Sequence, residues 1–375
     1  MINRIYNIKK QIQKGKVLVI YGPRRVGKTT LLQQFLSETK LKYKLAFGDS
    51  IETQHILSSR NFSQILPYVK NIELFAIDEA QLIPQIGLGL KIIVDQRPDL
   101  FVIATGSSSF DLSQQIGEPL VGRKWTITLY PISQIELLAA ATNEYELKQR
   151  LSEFLIFGSY PDVLNATSFE TKISTLKEMV NSYLLKDILT LERVKGSRIL
   201  LDLLKLLAFQ VGQEVSFHEL GTQLGIDYKT VERYIDLFEK SFVIMRLSPF
   251  SRNLRSEVRR KNKYFFVDNG IRNALISQFN PLDLRNDHGQ LWENFIISER
   301  LKAREYKKIY GDAYFWRKQQ GGEIDLVEER EGQLFSYECK WSTIKKVSAP
   351  KHWQLSYPNS TFQTITPENY LGFIT

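Results

Sequence analysis

The sequence predicts an α/β multidomain protein: a parallel-sheet P-loop core, a helical lid, a winged helix-turn-helix, and a second α/β domain at the C-terminus. Three observations carry this prediction. An apolar run, Val17–Tyr21, empties into the glycine-bounded loop Gly22-Pro-Arg-Arg-Val-Gly27-Lys28-Thr29 and then into a helical pattern. A second apolar run, Leu74-Phe-Ala-Ile77, ends in Asp78-Glu79. Far downstream, two short helical patterns around Gly225 precede strand-like segments that bear Asp325, Glu338 and Lys340.

The first loop has the spacing of a phosphate cradle. In G-x-x-x-x-G-K-T, successive backbone N–H groups point into one concavity, Lys28 reaches the outer phosphates, and the Thr29 hydroxyl can ligate Mg2+. Gly22, Pro23, Arg24, Arg25, Val26, Gly27, Lys28, Thr29 and Thr30 are thus the candidate nucleotide-binding residues. Carboxylates at the C-terminal end of a buried parallel strand fall beside such a loop. Asp78 is the candidate holder of the hydrated metal, and Glu79 the candidate to orient or deprotonate an attacking water. The bland alternative is a solvated turn after a core strand.

Up to about Pro131, strand-like and helical stretches alternate as in a parallel α/β sheet, which assigns residues 1–131 to the core. Tyr43–Phe47 reads as a further strand, and Leu100–Ala104 as one ending in the polar cluster Thr105-Gly-Ser107. Ser107 is a sensor candidate there, against the alternative of a Gly-Ser turn leaving a buried strand. Arg123, ahead of the strand Thr126–Pro131, is a candidate arginine finger acting in cis or from a neighbouring subunit, or an exposed surface arginine beside Lys124.

Residues 132–198 carry Leu and Phe at helical spacing, with Gly158-Ser-Tyr-Pro161 as a break, and read as a helical lid. In residues 199–267, Ser216-Phe-His-Glu219 is a capping-box pattern, Gly225 makes the turn and Asp227 opens a second helix through Lys240. The strands Phe242–Leu247 and Lys263–Val267 then flank a loop bearing Arg246, Arg252, Arg255, Arg259, Arg260, Lys261 and Lys263 against the single acid Glu257. Lys229, Arg233, Arg252, Arg255, Arg259, Arg260 and Lys261 are the candidate phosphate contacts for DNA, more than for RNA. Glu232, Asp236 and Glu239 on the presumed recognition helix point the other way, towards a protein partner.

Residues 268–375 hold a second constellation: Glu293 on a helix, Asp325 on one strand, and Glu338 and Lys340 on another. Residues i and i+2 of a strand share a face, so Glu338 and Lys340 can converge with Asp325 on one metal ion, the pattern of a nuclease. The alternative is a strand pair in which Lys340 neutralises Asp325 or Glu338 at the sheet edge.

Composition limits the rest. At 375 residues and 43% hydrophobic, the chain supports several cores and is not disordered. Its one cysteine, Cys339, excludes an intramolecular disulfide framework. No apolar run approaches the ~20 residues that span a bilayer, and the expected location is cytoplasmic, without a membrane partner. A net charge of +9 favours an acidic partner such as nucleic acid.

The order of these pieces resembles a family of bacterial and archaeal AAA+ ATPases of unassigned role. The resemblance rests on Gly22–Thr29, Ile77-Asp-Glu-Ala-Gln81, Thr105-Gly-Ser-Ser, Gly122-Arg123, Tyr264-Phe-Phe-Val-Asp-Asn-Gly270, Trp292-Glu-Asn-Phe, and Glu323-Ile-Asp followed by Glu338-Cys-Lys. It implies ATP as the nucleotide and a restriction-endonuclease-like PD-(D/E)xK fold at the C-terminus, carried by Glu293, Asp325, Glu338 and Lys340. Cleavage itself is not implied, because domains of this fold can be inactive. The resulting expectation is an ATP-hydrolysing protein that engages DNA, with a metal-dependent nuclease domain; the rival is a non-nucleolytic signalling or scaffold ATPase that binds protein partners or assembles with itself.

Overall fold

The computed structural model describes residues 2–107, 119–184, 197–252, 261–318, 322–342 and 347–375. Its first sheet contains β1 (Val17–Tyr21), β2 (Tyr43–Phe47), β3 (Leu74–Asp78), β4 (Phe101–Gly106) and β5 (Lys124–Thr128), in the order β2-β3-β4-β1-β5. Every pairing in it is parallel. β1 and β3 are buried along their whole length, which explains their unbroken apolar runs. Alternate residues serve opposite faces. Leu18 and Ile20 pack with Leu32 and Leu36 of the helix Lys28–Glu38, whereas Val17, Val19, Phe75 and Ile77 pack with Leu90 and Ile93 of the helix Ile86–Gln96. β1 lies inside the sheet between β4 and β5, so the loop that follows it opens at the C-terminal edge beside the ends of β3 and β4.

After Pro131 the chain is helical: Gln134–Ala140, Leu151–Phe157, Pro161–Asn165, Phe169–Glu178 and Ser197–Phe209. Two more helices, Phe217–Leu224 and Tyr228–Lys240, meet at Gly225, whose left-handed φ of 68° ends the first. Ser216 caps the first by accepting from the Glu219 N–H, and Asp227 caps the second by accepting from Lys229 and Thr230. An antiparallel pair follows, β6 (Ile244–Pro249) and β7 (Lys263–Phe266).

The second sheet does not respect the boundary expected between 267 and 268. Its order is β11-β10-β9-β8-β6-β7, with β8 (Asp312–Lys318), β9 (Gly322–Arg330), β10 (Gln333–Cys339) and β11 (Thr361–Ile365). β7 covers β6 only as far as Leu247. Beyond it, Ser248 and Pro249 pair in parallel with Tyr314 and Phe315, which satisfies backbone groups that the hairpin leaves open. The helix His288–Tyr306 locks this junction: the Asn294 amide donates to the Phe266 carbonyl at 3.0 Å and accepts from the Phe266 N–H at 2.6 Å. The carboxylate of fully buried Glu328 is shared by Arg300 at 2.8 Å, Arg304 at 3.0 Å and Arg330 at 3.3 Å, a compensation without which its burial would be costly. Among the described residues, no helix is long and apolar enough to cross a membrane.

Candidate functional site

The loop after β1 is held in shape from below and behind. A Cβ on Gly22 would stand 2.0 Å from the Leu129 carbonyl oxygen, so only glycine fits where the loop turns against the chain leaving β5. Arg4 donates to the Val26 carbonyl at 2.5 Å, to the Tyr130 carbonyl at 2.7 Å and to Glu136 at 2.8 Å. It thereby ties the cradle to the first helix after Pro131. Nothing in the sequence pattern singles out this lone N-terminal arginine. Lys28 is buried, and its ammonium donates to the Gly22 and Pro23 carbonyls at 2.9 and 2.8 Å. Arg25, at φ 63°, pairs with Glu178 at 2.8 Å and with Asp162 at 3.6 Å, which links the cradle to two helices of the next segment.

The expected acidic partners arrive where the strand order places them. The Thr29 hydroxyl donates to Asp78 Oδ2 at 2.9 Å, and the Thr105 hydroxyl from the end of β4 donates to Asp78 Oδ1. The Glu79 N–H in turn donates to Thr105 Oγ1 at 3.1 Å. Glu79 takes a left-handed backbone (φ 54°), a conformation that costs a non-glycine residue roughly 1–3 kcal/mol and collects at functional sites. Gly48 accommodates it: a Cβ there would lie 2.1 Å from the Glu79 carbonyl oxygen.

Ser107 does not touch Glu79 directly. The Gln81 amide stands between them, donating to Glu79 Oε2 and, at 3.0 Å, to Ser107 Oγ. Gln81 and Thr105 are therefore members of this site that motif spacing does not identify as such. Both stand in segments the sequence marks for other residues, and only the juxtaposition of β3 with β4 shows their contacts.

Arg123 lies at the wrong end of the sheet to serve its own chain's cradle. Its carbonyl accepts from the Val17 N–H at 2.9 Å, at the start of β1, whereas the cradle begins after Tyr21 at the other end. A strand of this length separates the two by roughly 15 Å. The guanidinium pairs instead with Asp95 at 2.5 Å. The expectation of a finger in cis is corrected accordingly, and the alternatives that fit this position are a surface arginine paired with Asp95 and a finger for a neighbouring subunit's site.

Lys229 and Arg233 are exposed on the helix Tyr228–Lys240, beside a cleft of about 390 Å3 that Glu232, Asp236, Glu239 and Arg246 also line. The described cations of the hairpin region have acidic partners. Arg252 meets Glu329 at 3.1 Å, Arg246 meets Glu239 at 3.6 Å and Lys261 meets Glu219 at 3.9 Å. Arg255, Arg259 and Arg260 lie outside the described residues.

The C-terminal constellation does assemble, though with an occupant that the sequence reading places elsewhere. Asp325 on β9 accepts from the Cys339 N–H at 2.8 Å, and Lys340 reaches Glu338 at 2.7 Å. β10 is an interior strand between β11 and β9, not an edge. Lys263, counted above with the cations of the loop, is fully buried and points into the cluster, 3.2 Å from Glu293 and 2.5 Å from Glu323. Its place at the first residue of β7 carries it inward, which corrects its reading as a solvated charge. Burial, aided by the neighbouring Asp325 charge, holds the Glu293 and Glu338 carboxyls above the ordinary carboxylate range. Burial opposes the charge of Lys263, but Glu293, Glu323 and Asp325 outweigh it and hold the ammonium charged. Among the described residues no three His, Cys, Asp or Glu side chains are arranged to share a metal ion.

Comparison with known proteins divides the chain in three. Residues 14–138 match an AAA domain, residues 148–282 a domain of unknown function (DUF8612), and residues 288–365 another (DUF4143). Several uncharacterized proteins are similar to the chain over most of its length, among them three from different organisms. One from Mycobacterium tuberculosis is 26% identical over 350 residues, covering 91% of this chain and 74% of that protein. One from Haemophilus influenzae is 28% identical, covering 85% and 80%. One from Methanocaldococcus jannaschii is 24% identical, covering 87% and 75%. Among solved structures, AMPPCP-bound DnaA from Aquifex aeolicus aligns with 64% of this chain and 85% of its own at 15% identity and a TM-score of 0.28. A protein from Vibrio cholerae aligns with 96% of each chain at 12% identity and a TM-score of 0.19. Residues 14–138 thus match an AAA domain, and the two stretches that follow match domains of unknown function.

Proposed function

We propose that the protein is an ATP-hydrolysing switch that engages DNA through its two middle helices and the hairpin behind them, arranged as a winged helix-turn-helix. The observation that carries the ATPase half is the meeting of Thr29 and Asp78 at 2.9 Å, with Glu79 one residue further at the same strand end. Two hard oxygen donors side by side fit Mg2+, and these residues would hold it. When bound, the ion neutralises charge on the phosphates. Lys28 leaves its Gly22 and Pro23 carbonyls for the outer phosphates, and Glu79, released from Gln81, orients and deprotonates the attacking water. Arg25 supplies the link to motion. Phosphate attracts its guanidinium away from Glu178 and Asp162, which loosens the helical lid from the core and shifts the segments beyond it.

For the DNA half, the support is the exposed pair Lys229 and Arg233 at a cleft beside the hairpin, together with the net charge of +9. A protein partner is the second reading, and the pairing of Arg246, Arg252 and Lys261 with Glu239, Glu329 and Glu219 favours it. Binding of a random duplex measured against salt, with and without ATP, decides between them. The DNA reading expects dissociation constants of order 10⁻⁴ to 10⁻⁶ M that weaken steeply with salt and weaken further in Lys229→Ala/Arg233→Ala. No binding at low salt, in protein that still hydrolyses ATP, hands the middle region to a protein partner.

A further inference from the structure

The C-terminal carboxylates have the sequence pattern of a metal centre and the surroundings of an ion-pair network. A divalent ion at Asp325 and Glu338 needs open oxygen ligands and a charge balance that no resident cation already supplies. The structure departs from this on several counts. Lys263 brings an ammonium into the cluster from β7, at 3.2 Å from Glu293 and within contact of Glu323, with its side chain 2% exposed. Lys340 takes Glu338 Oε1 at 2.7 Å, although Glu338 Oε2 is buried without a hydrogen-bond partner. The Cys339 N–H holds one oxygen of Asp325 at 2.8 Å. Gly212, in the turn after the helix Ser197–Phe209, closes over Glu293 so tightly that a Cβ there would meet Glu293 Oε2 at 2.8 Å.

Lys263 joins parts of the chain that are far apart in sequence. Lys263 belongs to the hairpin, Glu293 to the helix His288–Tyr306 and Glu323 to β9. Arg317 of β8 adds a second bridge, reaching Glu214 beside the Gly212 turn at 3.5 Å and Glu323 at 3.7 Å. Strands β6 and β8 pair alongside. The cluster therefore stands at the seam between the middle region and the C-terminal sheet, and ion pairs of Lys263 and Arg317 cross that seam.

We propose that Lys263 is the resident cation of this cluster, so that the Asp325, Glu338 and Lys340 pattern serves as part of an ion-paired joint between the middle and C-terminal regions in place of a metal-dependent cleavage site. The inference goes beyond the ATPase and DNA readings and depends on neither. It makes the C-terminal region a body that moves with the hairpin, because separating the two would strand a buried ammonium and its carboxylates.

The test is Mn2+ binding to the nucleotide-free full chain, followed by electron paramagnetic resonance, in four proteins: wild type, Asp325→Asn, Lys263→Met and the double variant. The proposal expects wild type and Asp325→Asn to bind Mn2+ alike. It expects Lys263→Met to gain at least tenfold in affinity at a site that the double variant lacks. Wild type that takes up Mn2+ in an Asp325-dependent manner, with Lys263→Met no tighter, overturns the proposal. If circular dichroism shows Lys263→Met to be unfolded, the first pair decides alone: equal binding supports the joint, and Asp325-dependent binding or DNA cleavage by wild type overturns it. Loss of ATP hydrolysis or of duplex binding bears on the switch reading and leaves this result untouched.

Discussion

Thr105 stands behind Asp78, its hydroxyl donating to Asp78 Oδ1 while Thr29 donates to Oδ2 from the other side, 2.9 Å away. The carboxylate is thus fixed by β4 as well as by the cradle, and Thr105 also receives the Glu79 N–H. Side chains that orient a metal-holding carboxylate typically contribute 10- to 100-fold to affinity or activity. Thr105→Val keeps the shape and removes these hydrogen bonds. ATP turnover should fall by roughly tenfold or more, with affinity for a fluorescent nucleotide nearly unchanged; unaltered turnover would show that the contact has no bearing on hydrolysis.

Ser107 and Glu79 should separate sharply under mutation. Ser107 only accepts from Gln81 at 3.0 Å, and Gln81 can hold Glu79 without it. Ser107→Ala is expected to keep turnover within a few-fold of wild type. Glu79→Gln, by removing the base, should lose about 10² to 10⁴. Steady-state phosphate release at saturating ATP measures both, and a Ser107→Ala loss as large as that of Glu79→Gln would restore the serine as a direct sensor.

Arg123 gives a prediction about concentration. Its position at the start of β1 puts it out of reach of its own cradle, and Asp95 holds it at 2.5 Å. In dilute protein Arg123→Ala should hydrolyse ATP at the wild-type rate. A wild-type rate per molecule that climbs with protein concentration, and a variant whose rate stays flat, would mark action on a neighbour; a deficit already present at high dilution is incompatible with the geometry.

The parallel core and its phosphate edge were legible because the apolar runs of β1 and β3 are continuous and each ends in a short polar motif. Strand order then does what no spacing rule can. It sets Thr105 and Gln81 against Asp78 and Glu79, and sends Arg123 to the opposite end. The middle helices were legible from Ser216, Gly225 and Asp227, local signals that act within a few residues. Lys263 was not. A lysine at the end of a cationic loop looks solvated in one dimension, and only the tertiary fold, with β6 paired to β8, brings three acidic side chains from distant segments around it. Arg4 fails for the same reason, since its three partners lie 22 to 132 positions away.

Asp287 makes the last prediction, one of stability. Its carboxylate accepts from Arg285 at 2.8 Å and from Arg272 at 2.5 Å, and both guanidiniums are buried. Burial pushes the Asp287 carboxyl up, but the hydrogen bonds and charges of Arg285 and Arg272 prevail and bring it down to about 2 from 3.8. Because the folded value lies below the unfolded one, the stability this group contributes is fully present above about pH 4 and is lost as pH falls from there towards 2. Asp287→Asn strands two buried cations, a change that typically costs about 3–5 kcal/mol. Urea unfolding from pH 6 to pH 2.5 should show a wide gap between wild type and variant at pH 6 that narrows steadily below pH 4. A gap that stays constant with pH would mean that the carboxylate's charge is not what secures Arg272 and Arg285.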